Sequence, residues 1–206
     1  FVVEKDTILA KKLETKFKEK LIIINEDILK IDEKKLSNEP MIVFGNLPYN
    51  ISTQILIKWI RLSNLNKIFK KFILMFQKEV AERIIATTNK KNYGRLAILT
   101  SWRMNIKKIA DVSPNSFYPM PRVKSTILLI EPKIKYFNFK NSKNLEHVTN
   151  IFFNQRRKKI KKPLNILFKN VDEISKKLNI NINDRPQNLP ASKYIELCNE
   201  YEKSVS

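Results

Sequence analysis

Glycine is almost missing from this chain: Gly45 and Gly94 are the two in 206 residues. No glycine-rich phosphate or cofactor loop can be built from these residues. Cysteine is nearly as scarce. Cys198 stands alone, which excludes an internal disulfide and fits a reducing compartment. The one histidine, His147, has no acid or cysteine at metal-ligand spacing, so no metal site is expected. No nucleophile–histidine–acid set is present. No apolar stretch is long enough to span a membrane, and no signal peptide is visible. Acids are outnumbered by bases, 20 to 40, which leaves a formal net charge of +20 and a pI near 10.0.

That excess points to a polyanionic partner, above all nucleic acid. Part of it is compositional: lysines outnumber arginines 32 to 8, and Ile and Asn are abundant, as in AT-rich genomes. A length of 206 residues is enough for one medium domain and a small one, and a hydrophobic content of 43% can build a core.

Apolar runs at 1–4, 21–24, 41–45 and 72–76 read as strands, and those at 102–112 and 123–130 alternate like a late antiparallel pair. Between them, helical spacing is expected from Asp6 or Thr7 to about 18, with Ile8, Leu9, Leu13 and Phe17 on one face. Helices are also expected at 52–62, with Ile55, Leu56, Trp59 and Ile60 inward, and at 78–87 and 94–101. Strands alternating with helices predict an α/β, doubly wound, mostly parallel sheet. After Pro132 the β-rich runs stop. Short helices are expected at 145–154, 160–168, 171–178 and 191–201, the last with an apolar stripe of Tyr194, Ile195, Leu197, Cys198 and Tyr201. The expected division is therefore 1–131 and 132–206.

The most informative residues are Asn46, Leu47, Pro48 and Tyr49, directly after the run Met41-Ile42-Val43-Phe44-Gly45 and before a helix opened by Ser52. Such a turn at a strand's carboxyl end resembles the one with which amino-group methyltransferases present a target base. An adenine amine is a poor nucleophile because its lone pair is delocalised into the ring. Two acceptors aimed at its hydrogens, a side-chain amide oxygen and a backbone carbonyl fixed by proline, favour a tetrahedral nitrogen with its lone pair directed outward.

Asn46 to Thr53 together resemble the catalytic turn of the small-subunit ribosomal RNA adenine N6,N6-dimethyltransferase family, the kasugamycin-resistance type. Four more segments agree in order and spacing: Gln77-Lys78-Glu79-Val80, Tyr93-Gly94-Arg95-Leu96, Phe117 to Ser125, and Phe153-Asn154-Gln155-Arg156-Arg157-Lys158. The resemblance implies a Rossmann-like S-adenosylmethionine-dependent methyltransferase with a small all-α carboxyl-terminal RNA-binding domain. It implies dimethylation of two adjacent adenosines near the 3′ end of small-subunit (16S) ribosomal RNA. The expected setting is a cytoplasmic monomer acting on a pre-30S subunit, without membrane or metal. The family's Gly-rich cofactor loop would lie upstream of Phe1, so an amino-terminal truncation is expected.

Residue by residue, the resemblance assigns Glu4 to the cofactor ribose, with Lys5 beside it. A solvated strand-end acid is the bland alternative. Asp27 is assigned to the cofactor adenine, with Ile28 as its neighbour; an Asx turn is the alternative. Asn46 and the Leu47 carbonyl would hold the target amine, Asn46 also bordering the cofactor. Pro48 would fix the turn, while Tyr49 and Phe117 would stack on the extruded base. Arg156, Arg157, Lys158, Lys159, Lys161 and Lys162 are expected to meet RNA phosphates, with acids missing nearby. Arg61, Arg95 and Arg103 are open candidates to extend that surface. Three rivals are a large-subunit enzyme of the macrolide-resistance type, a non-catalytic RNA-binding assembly factor and a DNA adenine methyltransferase.

Overall fold

β-Branched and aromatic residues in short apolar runs form strands that assemble into two ladders. In the computed structural model, which describes residues 1–205, β1 (Val2–Val3) pairs in parallel with β2 (Ile23–Ile24). The larger sheet holds β3 (Met41–Asn46), β4 (Phe69–Gln77), β5 (Met104–Val112) and β6 (Ser125–Pro132) in the order β3-β4-β6-β5. β3 and β4 are parallel; β6 runs antiparallel to both β4 and β5, so the late hairpin forms as expected.

The α/β class stands, but the expected single sheet is divided. Among the described residues no strand lies between the two ladders, and β3 has a hydrogen-bonded neighbour only in β4. One face of β3 also lies in water: Phe44 is 73% exposed, and Ile42, two residues before it on the same face, is exposed with it. The same holds for α1 (Thr7–Phe17). Asp6 caps it through Oδ1, accepting from the N–H groups of Ile8 and Leu9. Its expected apolar face is only half used: Leu13 and Phe17 are half-buried, whereas Ile8 and Leu9 are exposed.

α2 (Ser52–Arg61) buries Ile55, Leu56, Trp59 and Ile60 against the larger sheet, as its spacing predicts. Trp59 stacks on Phe72 of β4 with ring centroids 5.0 Å apart. A short α3 (Leu65–Ile68), not expected from sequence, follows Asn64, whose φ of 55° suits an Asn in the left-handed region. α4 (Lys78–Ile84) ends before the expected residue 87, and α5 (Arg95–Arg103) continues two residues past 101.

The carboxyl-terminal part is helical, with α6 (Asn144–Phe153), α7 (Lys161–Leu167), α8 (Val171–Lys177) and α9 (Ala191–Ser204). α6 and α9 pack on each other and on α5, so one hydrophobic cluster runs from Ile55 to Cys198. Each fully buried side chain here contributes about 1.5–3 kcal/mol. Tyr194, Leu197 and Cys198 are fully buried, whereas Ile195 and Tyr201 are half-buried. The Tyr194 hydroxyl donates to the Pro186 carbonyl at 2.7 Å, and burial raises the Cys198 thiol far above its ordinary value.

Candidate active site

The turn after β3 is built from short local bonds. The Ile51 N–H donates to the Pro48 carbonyl at 3.1 Å, and the buried Ser52 hydroxyl donates to the Tyr49 carbonyl at 3.1 Å. Ser52 therefore fastens the turn and does not cap the helix; the N-cap, Ile51, has no side-chain capping bond. Gly45 lies tight beneath it: a Cβ there would come within 2.9 Å of methyl groups of Leu47 and Leu74. Asn46 is exposed, and its side-chain amide makes no hydrogen bond among the described residues. Tyr49 is half-buried, with its hydroxyl 2.6 Å from Ser125 Oγ.

Ser125 is the hub of this end of the sheet. It pairs with Gln77 at the end of β4 and with Val112 at the end of β5, while Asn46 pairs with Met75. The loop 113–124, which carries Phe117, thus starts and ends at the end of the sheet where the Asn46 turn sits. Asp111 anchors its base, accepting from Lys108 at 2.8 Å and Thr126 at 2.7 Å. These contacts, Lys108 first and Thr126 second, pull its carboxyl down to about 2. The Lys78 N–H donates to the Lys124 carbonyl from the other side. Phe117 is half-buried.

The ends of β1 and β2 bring Glu4 and Asp27 to one edge. The Glu4 N–H donates to the Ile24 carbonyl, and Asn25 bridges to the carbonyls of Glu4 and Lys5. Glu4 Oε1 accepts from the Asp6 N–H at 2.8 Å. Asp27 forms the Asx turn weighed as its alternative, accepting from the Leu29 N–H at 2.9 Å, and its other oxygen meets Lys5 Nζ at 2.9 Å. The Leu29 bond, then Lys5, holds its carboxyl below the usual range; Asp27 in turn raises Lys5.

Sequence reasoning missed the brace between this edge and the helix behind the turn. Lys58 of α2 donates to the carbonyls of Ile28 and Ile31 and to Glu33 Oε1, at 2.6–2.7 Å. Glu33, 2% exposed, also accepts from Trp59 Nε1 at 2.7 Å. A polar residue beside Trp59 in the buried run of α2 was the available signal. A cleft of about 1110 Å³ opens at the opposite end of the sheet between Glu39, Lys70, Asn105 and Glu131, and none of the assigned residues lines it.

The basic run occupies the link between α6 and α7 and the first residues of α7. Arg157, Lys158, Lys159, Lys161 and Lys162 are exposed, and a hollow of about 440 Å³ is lined by four of those lysines with Gln155 and Asn165. Arg156 is turned to structure instead, donating to the carbonyls of Lys90 and Lys91. Of the further arginines, Arg95 is exposed. Arg61 makes a two-pronged pair with Glu146, and buried Arg103 donates to the carbonyls of Ile60 and Leu62, so both serve packing. His147 is exposed, its ring 5.4 Å from that of Tyr201.

A divided α/β sheet with an Asn-Leu-Pro-Tyr turn at a strand end and a helical carboxyl-terminal part defines a methyltransferase-like protein. The fold is shared with a dimethyladenosine transferase from Plasmodium falciparum, at TM-score 0.77 and 24% identity, covering 98% of this chain and 82% of that one. It is shared also with the 23S rRNA methyltransferase ErmE, at TM-score 0.67 and 18% identity, covering 96% and 79%. Residues 1–203 match the family described as ribosomal RNA adenine dimethylase. Among relatives, the ribosomal RNA small subunit methyltransferase A of Pelagibacter ubique is 53% identical over 202 residues, spanning 98% of this chain and 77% of that protein. Its namesake in Ehrlichia canis is 40% identical, spanning 96% and 75%. The chain belongs to the ribosomal RNA adenine dimethylase family and is a methyltransferase.

Proposed function

We propose that the chain dimethylates two adjacent adenosines near the 3′ end of small-subunit ribosomal RNA, with S-adenosylmethionine as methyl donor. The observation that carries this reading is the Asn46 turn: an exposed amide at the end of β3, in a turn fastened by Ser52 and Ser125 and at the same end of the sheet as the Phe117 loop. The small-subunit name of the 53% and 40% identical relatives favours this RNA over the large-subunit alternative.

The residues present fit the cofactor's polar groups. Glu4 and Asp27 offer carboxylates at adjacent parallel strand ends, where ribose hydroxyls and an adenine amine find acceptors, and half-buried Ile28 offers an apolar wall. Lys5, its side chain 75% exposed, is the partner of Asp27 that an adenine amine would replace. Bound, the cofactor supplies a methyl group already activated on a sulfonium. Asn46 Oδ1 and the Leu47 carbonyl accept the two amine hydrogens and direct the nitrogen lone pair, with Pro48 fixing the turn. Tyr49 and Phe117 hold the unstacked adenine, each stacking contact contributing about 1–3 kcal/mol. The pocket admits the monomethylated base for the second transfer.

Residues 1–131 form the catalytic part in this reading and 132–206 the RNA-binding part, where Arg157, Lys158, Lys159, Lys161 and Lys162 meet phosphates. The protein works as a monomer on a cytoplasmic pre-30S subunit. Incubation with unmethylated small and large subunits and labelled cofactor tests the assignment. Label in N6,N6-dimethyladenosine of the small-subunit RNA is expected; label confined to the large subunit would overturn it.

A further inference from the structure

We propose that Tyr118, at the tip of the loop 113–124, is a stacking platform for a nucleotide flanking the target adenosine. This rests on the catalytic reading above and extends it to the RNA neighbouring the reacting base.

Tyr118 is fully exposed, at 102%, beside half-buried Phe117. Phe117 is extended (φ −125°, ψ 149°), and in extended backbone successive side chains face opposite ways. The two rings therefore cannot serve one base: if Phe117 turns to the extruded adenine, Tyr118 faces what lies beyond it. Met120 and Val123 are exposed in the same stretch, at 65% and 42%. Such a concentration of apolar surface in one loop marks a contact site.

The chemistry of the loop selects the occupant. Residues 113–124 contain no acid, while Arg122 and Lys124 are exposed on the returning half of the same loop. An aromatic face with flanking cations fits a base and its phosphates, and single-stranded RNA is bound by this pairing. Pro114, Pro119 and Pro121 stiffen the loop, so little conformational freedom is lost when a base stacks. The loop leaves the sheet at Val112 and returns at Ser125, the residue that holds Tyr49, so the platform stands at the rim of the site.

The test is binding of a short RNA with two adjacent adenosines, bearing 2-aminopurine at the flanking position. Wild type, Tyr118→Phe, Tyr118→Ala and Asn46→Ala are compared at low and high salt. Tyr118→Phe should match wild type. Tyr118→Ala should lose about ten-fold or more in affinity, together with the change in 2-aminopurine fluorescence. That loss should persist at high salt, where phosphate contacts fade. Since the side chain is in solvent, the thermal midpoint should not move. Unchanged RNA affinity and fluorescence in Tyr118→Ala would overturn the inference. So would a loss seen with assembled subunits but not with RNA, which would assign the patch to a ribosomal protein. Wild-type methyl transfer by Asn46→Ala would strike the catalytic reading instead, and the Tyr118 result would not reproduce it.

Discussion

Lys58 and Glu33 form an ion pair of 2.6 Å that joins the helix behind the Asn46 turn to the segment after Asp27. All three Lys58 donors are used, on Ile28, Ile31 and Glu33. Glu33 Oε2 is buried without a partner among the described residues, so the carboxylate depends on what reaches Oε1. Lys58→Met should leave that charge uncompensated and destabilise the protein by about 3 kcal/mol. Denaturant unfolding checks this: a loss below about 1 kcal/mol would show that the brace contributes little. Affinity for the cofactor should fall as well, because Ile28 and its neighbours lose their support.

The base of the Phe117 loop should resist acid. Asp111 titrates at about 2 when folded, against an ordinary value of 3.8. Its folded value is depressed, so its stabilising contribution is fully present above pH 3.8 and is lost as pH falls through about 2. A carboxyl-carbon NMR titration should place its midpoint near the lower figure. Added salt should weaken the Lys108 contribution, since Asp111 is exposed. The stability difference between wild type and Asp111→Asn should hold from neutral pH to about 4 and close at lower pH.

The two neighbouring arginines of the basic run should separate. Replacing Arg157, Lys158, Lys161 and Lys162 together by Gln should weaken RNA binding. The slope of log affinity against log salt should fall by about three, near 0.7–0.9 per phosphate contact. Arg156→Gln should leave that slope nearly unchanged and destabilise by about 1 kcal/mol, since its guanidinium holds the carbonyls of Lys90 and Lys91. Salt titration with RNA and thermal unfolding read the two effects.

Much of this was legible in sequence because local chemistry sets it. Asp6 capped its helix, the 3.6-residue spacing of Ile55, Leu56, Trp59 and Ile60 gave the buried face of α2, and Tyr194, Leu197 and Cys198 made a buried stripe. The turn at Asn46 was readable from strand, proline and helix in succession. Contacts between distant residues were not. Nothing local says that Lys58 reaches back to Glu33, that Tyr49 meets Ser125 across 76 positions, or that Arg103 is spent on the end of α2. Division of the sheet was also hidden, because periodicity shows that a strand forms and not which strand it pairs with.

The central claim is that Asn46 presents the adenine amine. Its most direct test is N6,N6-dimethyladenosine formed in unmethylated small subunits, measured by mass spectrometry for wild type and Asn46→Ala. With the fold intact by circular dichroism, the rate should fall at least about a hundred-fold, the scale of losing one positioned polar group in an active site. Dimethylation at the wild-type rate would contradict the account.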